Sequence, residues 1–160
     1  MSAWTPPSAG ERRAILRAAR TIAVVGASTN PARASNFVLT YLLSSSAGYE
    51  VWPVTPNETA VLGVKAYPSL ADLPAAPDVV DVFRRADQLP GVAREAVAVG
   101  AKVLWLQLGL HSDEAVEIAV AGGLQVVTNR CLKIEHARFA GGLHLAGFDT
   151  GVISSRRTRG

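Results

Sequence analysis

The segment from Gly26 to Ser35 reads GASTNPARAS and carries residue types suited to holding phosphate. Glycine lets a backbone turn sharply and approach a ligand, and free N–H groups ahead of a helix attract anions. Ser28 and Thr29 add hydroxyl donors, and Arg33 adds a forked cation that suits phosphate oxygens. The segment is a candidate pyrophosphate site, although glycine and small polar residues are also common in ordinary strand-to-helix turns.

The full dinucleotide fingerprint G-x-G-x-x-G is absent here, because Ser28 and Pro31 stand at its second and third glycine positions. NAD binding also favours an acidic residue at the end of the second strand, where it would bind the ribose hydroxyls. That end reads Val54, Thr55, Pro56, Asn57. An NAD-type enzyme of unknown reaction therefore stays only as the alternative hypothesis.

Two further predicted strands end in polar or charged residues. Phe83 and Arg84 end one of them, and Gln107 ends the next. Because ligands of open parallel sheets bind at the carboxyl ends of the strands, these side chains are candidates for contact with an anionic ligand. The alternative is structural: Phe83 packs in the core while an arginine pairs with Asp81 or Asp87.

Residues for catalysis are sparse. His111, His136 and His144 are scattered, and no HExxH, GxSxG or P-loop motif is present. Cys131 follows Arg130 near the start of a predicted helix, an environment that favours a reactive thiolate, whereas a buried inert cysteine is the alternative. We predict no catalytic residues and no metal site.

The elements that position these residues alternate along the chain. Five short runs rich in β-branched residues are predicted as strands, at 21–26, 50–54, 79–83, 102–107 and 124–128. Segments with apolar spacings of three and four are predicted as helices, at 10–20, 35–46, 86–99, 112–122 and 131–139, with Ser35 and Ser112 as N-caps. Continuously apolar strands indicate a parallel sheet covered on both faces. The prediction is an α/β, Rossmann-like doubly wound sheet of about five parallel strands, in the order 3-2-1-4-5, with helices on both faces.

Length and composition favour one domain. The 160 residues suit a single unit spanning 1–160, with a core at about 10–140 and a C-terminal extension at 141–160 whose end we expect to be flexible. The net charge of +3 depends on three arginines among the last five residues, so no nucleic-acid partner is expected. The chain has no apolar run of about twenty residues, no secretory signal pattern and a single cysteine, so we expect a cytoplasmic protein without a membrane partner.

Collinear motifs between Thr21 and Phe139 carry a resemblance to a known family. The motifs are VVGAS, NPARAS, YEVWPVTPN, LGVKAYPSL, DVVDVFRR, AKVLWLQLG and VVTNRCLKIEH. Together they resemble the small single-domain CoA-binding proteins. Those proteins are similar to the N-terminal CoA-binding domain of the α subunit of succinyl-CoA synthetase and of ADP-forming acyl-CoA synthetases.

The resemblance implies coenzyme A as the ligand, with its phosphates over the first loop, its adenosine near residues 53–57 and its pantetheine arm past Phe83. The implied cofactor-binding residues are Gly26, Ala27, Ser28, Thr29, Asn30, Arg33, Ser35, Pro53, Val54, Asn57, Phe83, Arg84 and Gln107. The phosphohistidine domain of the synthetases is absent from this sequence. The predicted function is therefore non-catalytic binding of CoA or an acyl-CoA, as a carrier, a sensor or a subunit. A homo-oligomer or a synthetase-like partner is compatible with that role.

Overall fold

The computed structural model describes residues 4–44 and 48–140. The strands are β1 Thr21–Val25, β2 Glu50–Val54, β3 Ala60–Val61, β4 Val64–Lys65, β5 Val79–Val82, β6 Val103–Leu106 and β7 Gln125–Val127. The helices are α1 Ala9–Ala18, α2 Ala34–Ser44, α3 Leu89–Ala98, α4 Asp113–Ala121 and α5 Leu132–Ala140, with short 3₁₀ turns at Leu70–Asp72 and Ala86–Gln88. The predicted extension at 141–160 lies outside the described residues.

Five strands form one parallel sheet in the order β2-β1-β5-β6-β7, and helices cover both of its faces. Leu89 of α3 and Val116 of α4 pack in the core on one face. Leu16 of α1, Leu39 of α2 and Leu132 of α5 pack on the other. This confirms the predicted α/β, Rossmann-like sheet of five parallel strands, each long apolar run being buried from both sides.

The predicted strand order of 3-2-1-4-5 is wrong. The third long strand, β5, pairs with β1 and β6, so the order of the five predicted strands is 2-1-3-4-5. The physical reason lies at Pro53, which has no N–H to donate to a neighbouring strand and is therefore tolerated only at a sheet edge. The outer side of β2 holds a single bridge to Tyr67, whose N–H donates to the Pro53 carbonyl at 2.9 Å and whose carbonyl accepts from Thr55 N at 2.9 Å.

The segment between β2 and β5 holds a small hairpin that the sequence analysis did not predict. Strands β3 and β4 pair antiparallel around a two-residue turn at Leu62 and Gly63. Both turn residues have positive φ, at 51° and 77°, the backbone shape that closes two-residue hairpins. No α-helix connects β2 to β5 across residues 55–78, where the only helical turn is the 3₁₀ turn Leu70–Asp72. Within the described ranges, no helix is long and apolar enough to cross a membrane.

Of the two predicted helix N-caps, one is confirmed and the other is wrong. Ser112 caps α4 as predicted, its Oγ accepting from Ala115 N at 3.1 Å. Ser35 was predicted to cap the second helix and instead lies inside α2, where it is buried. The helix begins earlier because the chain already turns at Asn30, whose carbonyl accepts from Arg33 N at 3.0 Å. The Arg33 carbonyl then accepts from Phe37 N at 3.3 Å.

Candidate ligand-binding site

The carboxyl ends of β1, β2, β5 and β6 converge on a cavity of about 660 Å³, bounded also by the first turns of α2 and α5. This is the edge of an open parallel sheet at which ligands bind. Nine of the predicted binding residues line it: Gly26, Ala27, Ser28, Arg33, Ser35, Asn57, Phe83, Arg84 and Gln107. Four predicted residues do not line this cavity: Thr29, Asn30, Pro53 and Val54.

Position 26 requires glycine, because β5 approaches β1 closely there. Its φ is +89°, and a Cβ there would lie 2.5 Å from the Phe83 carbonyl oxygen. Its N–H and that of Ala27 both donate to the Val54 carbonyl, at 3.0 and 3.3 Å. These two amides are thus engaged within the sheet, so any phosphate at this loop would be bound by groups beyond Ala27.

Side chains within the loop after β1 hold its shape. Ser28 Oγ accepts from Asn30 N at 3.0 Å, and Asn30 Oδ1 accepts from Ala32 N at 2.9 Å. Asn36 Nδ2 donates to the Ser28 carbonyl at 2.9 Å and ties the loop to α2. Asn30 is exposed and shapes the loop, while the exposed Arg33 at its end lines the cavity.

Three arginines, Arg33, Arg84 and Arg85, line the cavity, and no aspartate or glutamate does among the described residues. Arg84 is half-buried and its Nε donates to Gln88 Oε1 at 2.6 Å. Both parts of the structural alternative are found, since Phe83 packs against the core and Arg85 approaches Asp87 Oδ1 at 3.6 Å, although both residues also line the cavity. The cavity therefore has a positive potential on its β1 and β5 side, as an anionic ligand requires.

Gln107 links the end of β6 to the start of α5. Its Oε1 accepts from Leu132 N at 2.9 Å, and its side chain is buried. Cys131, the residue before α5, is half-buried and also lines the cavity, so the simple buried-cysteine alternative does not describe it. The two side chains bound the end of the cavity that lies farthest from β2.

An apolar wall completes the cavity, and the sequence analysis did not identify it. We define the apolar wall as Phe37, Leu108, Leu110 and Ile134. Phe37 contacts α5, because Lys133 Nζ lies 3.5 Å from its ring centroid. The apolar pattern of α2 contained information about Phe37. Val38, Leu39 and Leu42 form the buried face of the helix, and Phe37 lies at the edge of that face.

A second cavity of about 630 Å³ adjoins the first, and Arg84 lines both. Val54 and Pro56 line this second cavity. Pro53 lies just before them in β2, where it is buried. The predicted adenosine-binding segment thus divides between the two cavities, with Asn57 in the first and Val54 in the second.

The histidines lie outside the main cavity, as far as the described residues extend. His111 contacts Asp113 Oδ1 at 2.7 Å, and His136 Nδ1 lies 2.8 Å from the Tyr41 hydroxyl. Burial lowers the pKa of His136 and raises the pKa of the neighbouring Tyr49 to about 12. The prediction for His144 falls outside the described residues.

Comparison with known proteins gives matches across this same region. A family model of the CoA binding domain matches residues 20–137. The uncharacterized protein YneT of Bacillus subtilis is 43% identical over 131 residues, covering 82% of this chain and 96% of that protein. A hypothetical protein of solved structure from Pyrococcus horikoshii is 40% identical with a TM-score of 0.80, covering 88% of this chain and 100% of the other.

A larger protein contains a related unit. The dinucleotide-forming acetyl-coenzyme A synthetase 1 of Ca. Korarchaeum cryptofilum is 29% identical with a TM-score of 0.62, covering 68% of this chain and 26% of that one. The region of likeness to the synthetase is thus a quarter of its length. The family model spans most of the sequence, from before β1 into α5. The chain belongs to the CoA binding domain family.

Proposed function

We propose that this chain binds coenzyme A or an acyl-CoA in the cavity at the carboxyl ends of its strands, acting as a carrier, a sensor or a subunit. The observation that carries the proposal is the charge of the cavity lining. Three arginines line the cavity without an aspartate or glutamate among the described residues, and the rest of the lining is uncharged. Coenzyme A suits this lining, because it combines anionic phosphates with an uncharged pantetheine arm of mixed polar and apolar groups.

The sheet order supports a direction for the ligand. Asn57, Gly26, Arg84, Gln107 and Cys131 follow β2, β1, β5, β6 and β7, which is their order across the sheet. In the proposed orientation, the phosphates lie at the β1 and β5 loops and the adenosine extends toward Asn57. The pantetheine arm then crosses toward the end of β6. Membership of the CoA binding domain family supports the choice of ligand.

The arginines are proposed to bind the phosphates through charge-assisted hydrogen bonds. Such a bond contributes about 1.5–3 kcal/mol, so removing one guanidinium should weaken binding roughly ten- to hundredfold. Arg33→Ala and Arg84→Ala are the informative variants. Arg17→Ala is a matched control, because Arg17 is an exposed arginine on α1 that does not line this cavity.

Thermal unfolding with added CoA, NAD, NADP or ATP tests the proposal. A ligand that binds only the folded state at a hundred times its Kd adds about 2.7 kcal/mol, which raises Tm by roughly 5–10 °C for a chain of this size. We expect that shift with CoA, a smaller shift for Arg33→Ala and Arg84→Ala, and no change of the CoA shift for Arg17→Ala. No shift at millimolar CoA, or a larger shift with NAD, would contradict the proposal.

A further inference from the structure

Exposed apolar side chains concentrate at this cavity. Among the described residues, the large hydrophobic side chains with the greatest exposure are Leu108 at 63%, Phe37 at 60% and Ile134 at 51%, and all three line it. Leu43 and Leu62, the other two exposed large hydrophobics in the described ranges, do not line it. Clustered exposed apolar surface commonly marks a binding surface.

Leu108 and Ile134 lie on the β6 and α5 side of the cavity, and Phe37 lies on α2, one helical turn after Arg33. Leu108 follows β6, and Ile134 lies in the first turn of α5, whereas Arg84 and Arg85 follow the central strand β5. Phe37 faces α5 through its contact with Lys133. A ligand whose phosphates bind Arg84 and Arg85 and which extends from β5 toward β6 would therefore reach Leu108 and Ile134.

Gln107 supplies a hydrogen-bond donor at the β6 end of the cavity. Its side chain is 5% exposed, and its amide orientation is set because the Leu132 N–H needs an oxygen as its acceptor. The Nε2 group is consequently the donor end of this amide, and it makes no hydrogen bond to an acceptor within residues 4–44 and 48–140. A donor in a largely buried side chain that lines a cavity is suited to a carbonyl oxygen of a ligand.

From the amide donor and the apolar wall together, we infer that the site selects an apolar acyl thioester over free CoA. This inference rests on the proposed function. The Gln107 amide donates to a carbonyl at the thioester end of the ligand, and the acyl chain lies against Phe37, Leu108 and Ile134. The acyl chain covers part of the wall, which free CoA leaves in contact with water.

The expected gain follows from burial of methylene groups. Complete burial of one CH₂ group raises the affinity by up to about four-fold. A CH₂ group that rests on a half-open wall should contribute about half of that free energy, which corresponds to about two-fold in affinity. Hexanoyl-CoA adds four methylenes to acetyl-CoA, so it should bind at least about tenfold more tightly. Calorimetric titration of CoA, acetyl-CoA, butyryl-CoA and hexanoyl-CoA measures this series.

Succinyl-CoA separates the apolar wall from a charge-based preference. Lys133 Nζ lies over the Phe37 ring and is the cation nearest to that side chain in the described contacts. Succinyl-CoA has the same four carbons as butyryl-CoA but ends in a carboxylate. We expect butyryl-CoA to bind more tightly, and tighter binding of succinyl-CoA would overturn the inference in favour of recognition by Lys133.

Variants of the wall test which residues are responsible. Leu108→Ser and Ile134→Ser should remove most of the hexanoyl-CoA advantage while changing the Kd for free CoA less than about threefold. Leu43→Ser is the matched control, since Leu43 is exposed on α2 away from the cavity, and it should keep the full advantage. Equal affinity of the wild-type protein for CoA and hexanoyl-CoA would overturn the inference while leaving the proposed function intact. Failure to bind CoA at all would instead refute the proposed function.

Discussion

Asp81 allows a prediction that depends on one buried carboxyl group. It lies within β5 with 0% exposure, between Val24 of β1 and Trp105 of β6, and neither of its carboxyl oxygens has a hydrogen-bond partner in the described part of the chain. Burial raises the pKa of Asp81 well above its usual range. The folded protein therefore holds this proton at pH values where the unfolded chain has already released it.

The sign and size of the effect follow from proton linkage. Below about pH 4, Asp81 is protonated in both states and does not affect the pH dependence of stability. Above that pH, its contribution lowers the free energy of unfolding by up to about 1.4 kcal/mol for each pH unit, until the folded-state pKa is reached. The side chain of the Asp81→Asn variant cannot ionise, so this variant does not lose stability in this way as the pH rises. Asp81→Val also removes the unpaired polar group, whose burial costs about 1–3 kcal/mol.

Urea unfolding between pH 4 and pH 8 measures this difference directly. The stability of Asp81→Asn minus that of the wild-type protein should rise with pH, because all other titrating groups are shared. Asp87→Asn is a suitable control, since Asp87 is exposed and pairs only weakly with Arg85. A flat difference for Asp81→Asn from pH 4 to pH 8 would refute the reasoning, because it would mean that the carboxyl is not desolvated.

Two further substitutions test the packing around the sheet. Gly26→Ala should lower the free energy of unfolding by at least about 2 kcal/mol, from the positive φ and the contact with the Phe83 carbonyl. Gly63→Ala shares the positive φ but meets open space, so equal losses in urea unfolding would argue against the contact. Arg12 Nε lies 2.6 Å from Glu135 Oε1 with both groups buried, and Arg138 Nη1 lies 3.5 Å from Glu135 Oε2, so Arg12→Met leaves the carboxylate only this longer contact and should cost about 3 kcal/mol. The double variant Arg12→Met with Glu135→Leu should recover most of that loss, and no recovery would show that the cost is in packing rather than unpaired charge.

Much of the fold was predictable because local patterns decide it. The five apolar runs have the residue types of strands covered on both faces, and all five form parallel strands within one or two residues of their predicted ends. Strand order is not a local property, and the predicted order was wrong. Pro53 held usable information, since proline within a strand indicates an edge position and β2 is an edge strand.

The polar part of the site was more predictable than the apolar part. Glycine and serine are also common in ordinary strand-to-helix turns, but in combination with an arginine they suit phosphate, so Gly26, Ser28 and Arg33 were named from their types and positions. Leu108 and Ile134 have the same residue types as the core, and only the packing of α5 near β6 shows that they are exposed at the cavity. The engagement of the Gly26 amide by Val54 was likewise hidden, because it depends on how two strands meet.

The bridge between β2 and Tyr67 also affects how copies of this chain can associate. An unpaired sheet edge offers a row of donors and acceptors onto which a strand of another molecule can add. Here Tyr67 already pairs with Pro53 and Thr55, and Pro53 has no donor to offer an incoming strand. Growth of the sheet from molecule to molecule is therefore disfavoured along β2, which protects this edge against aggregation. An oligomer of this chain is therefore expected to form at surfaces other than the β2 edge.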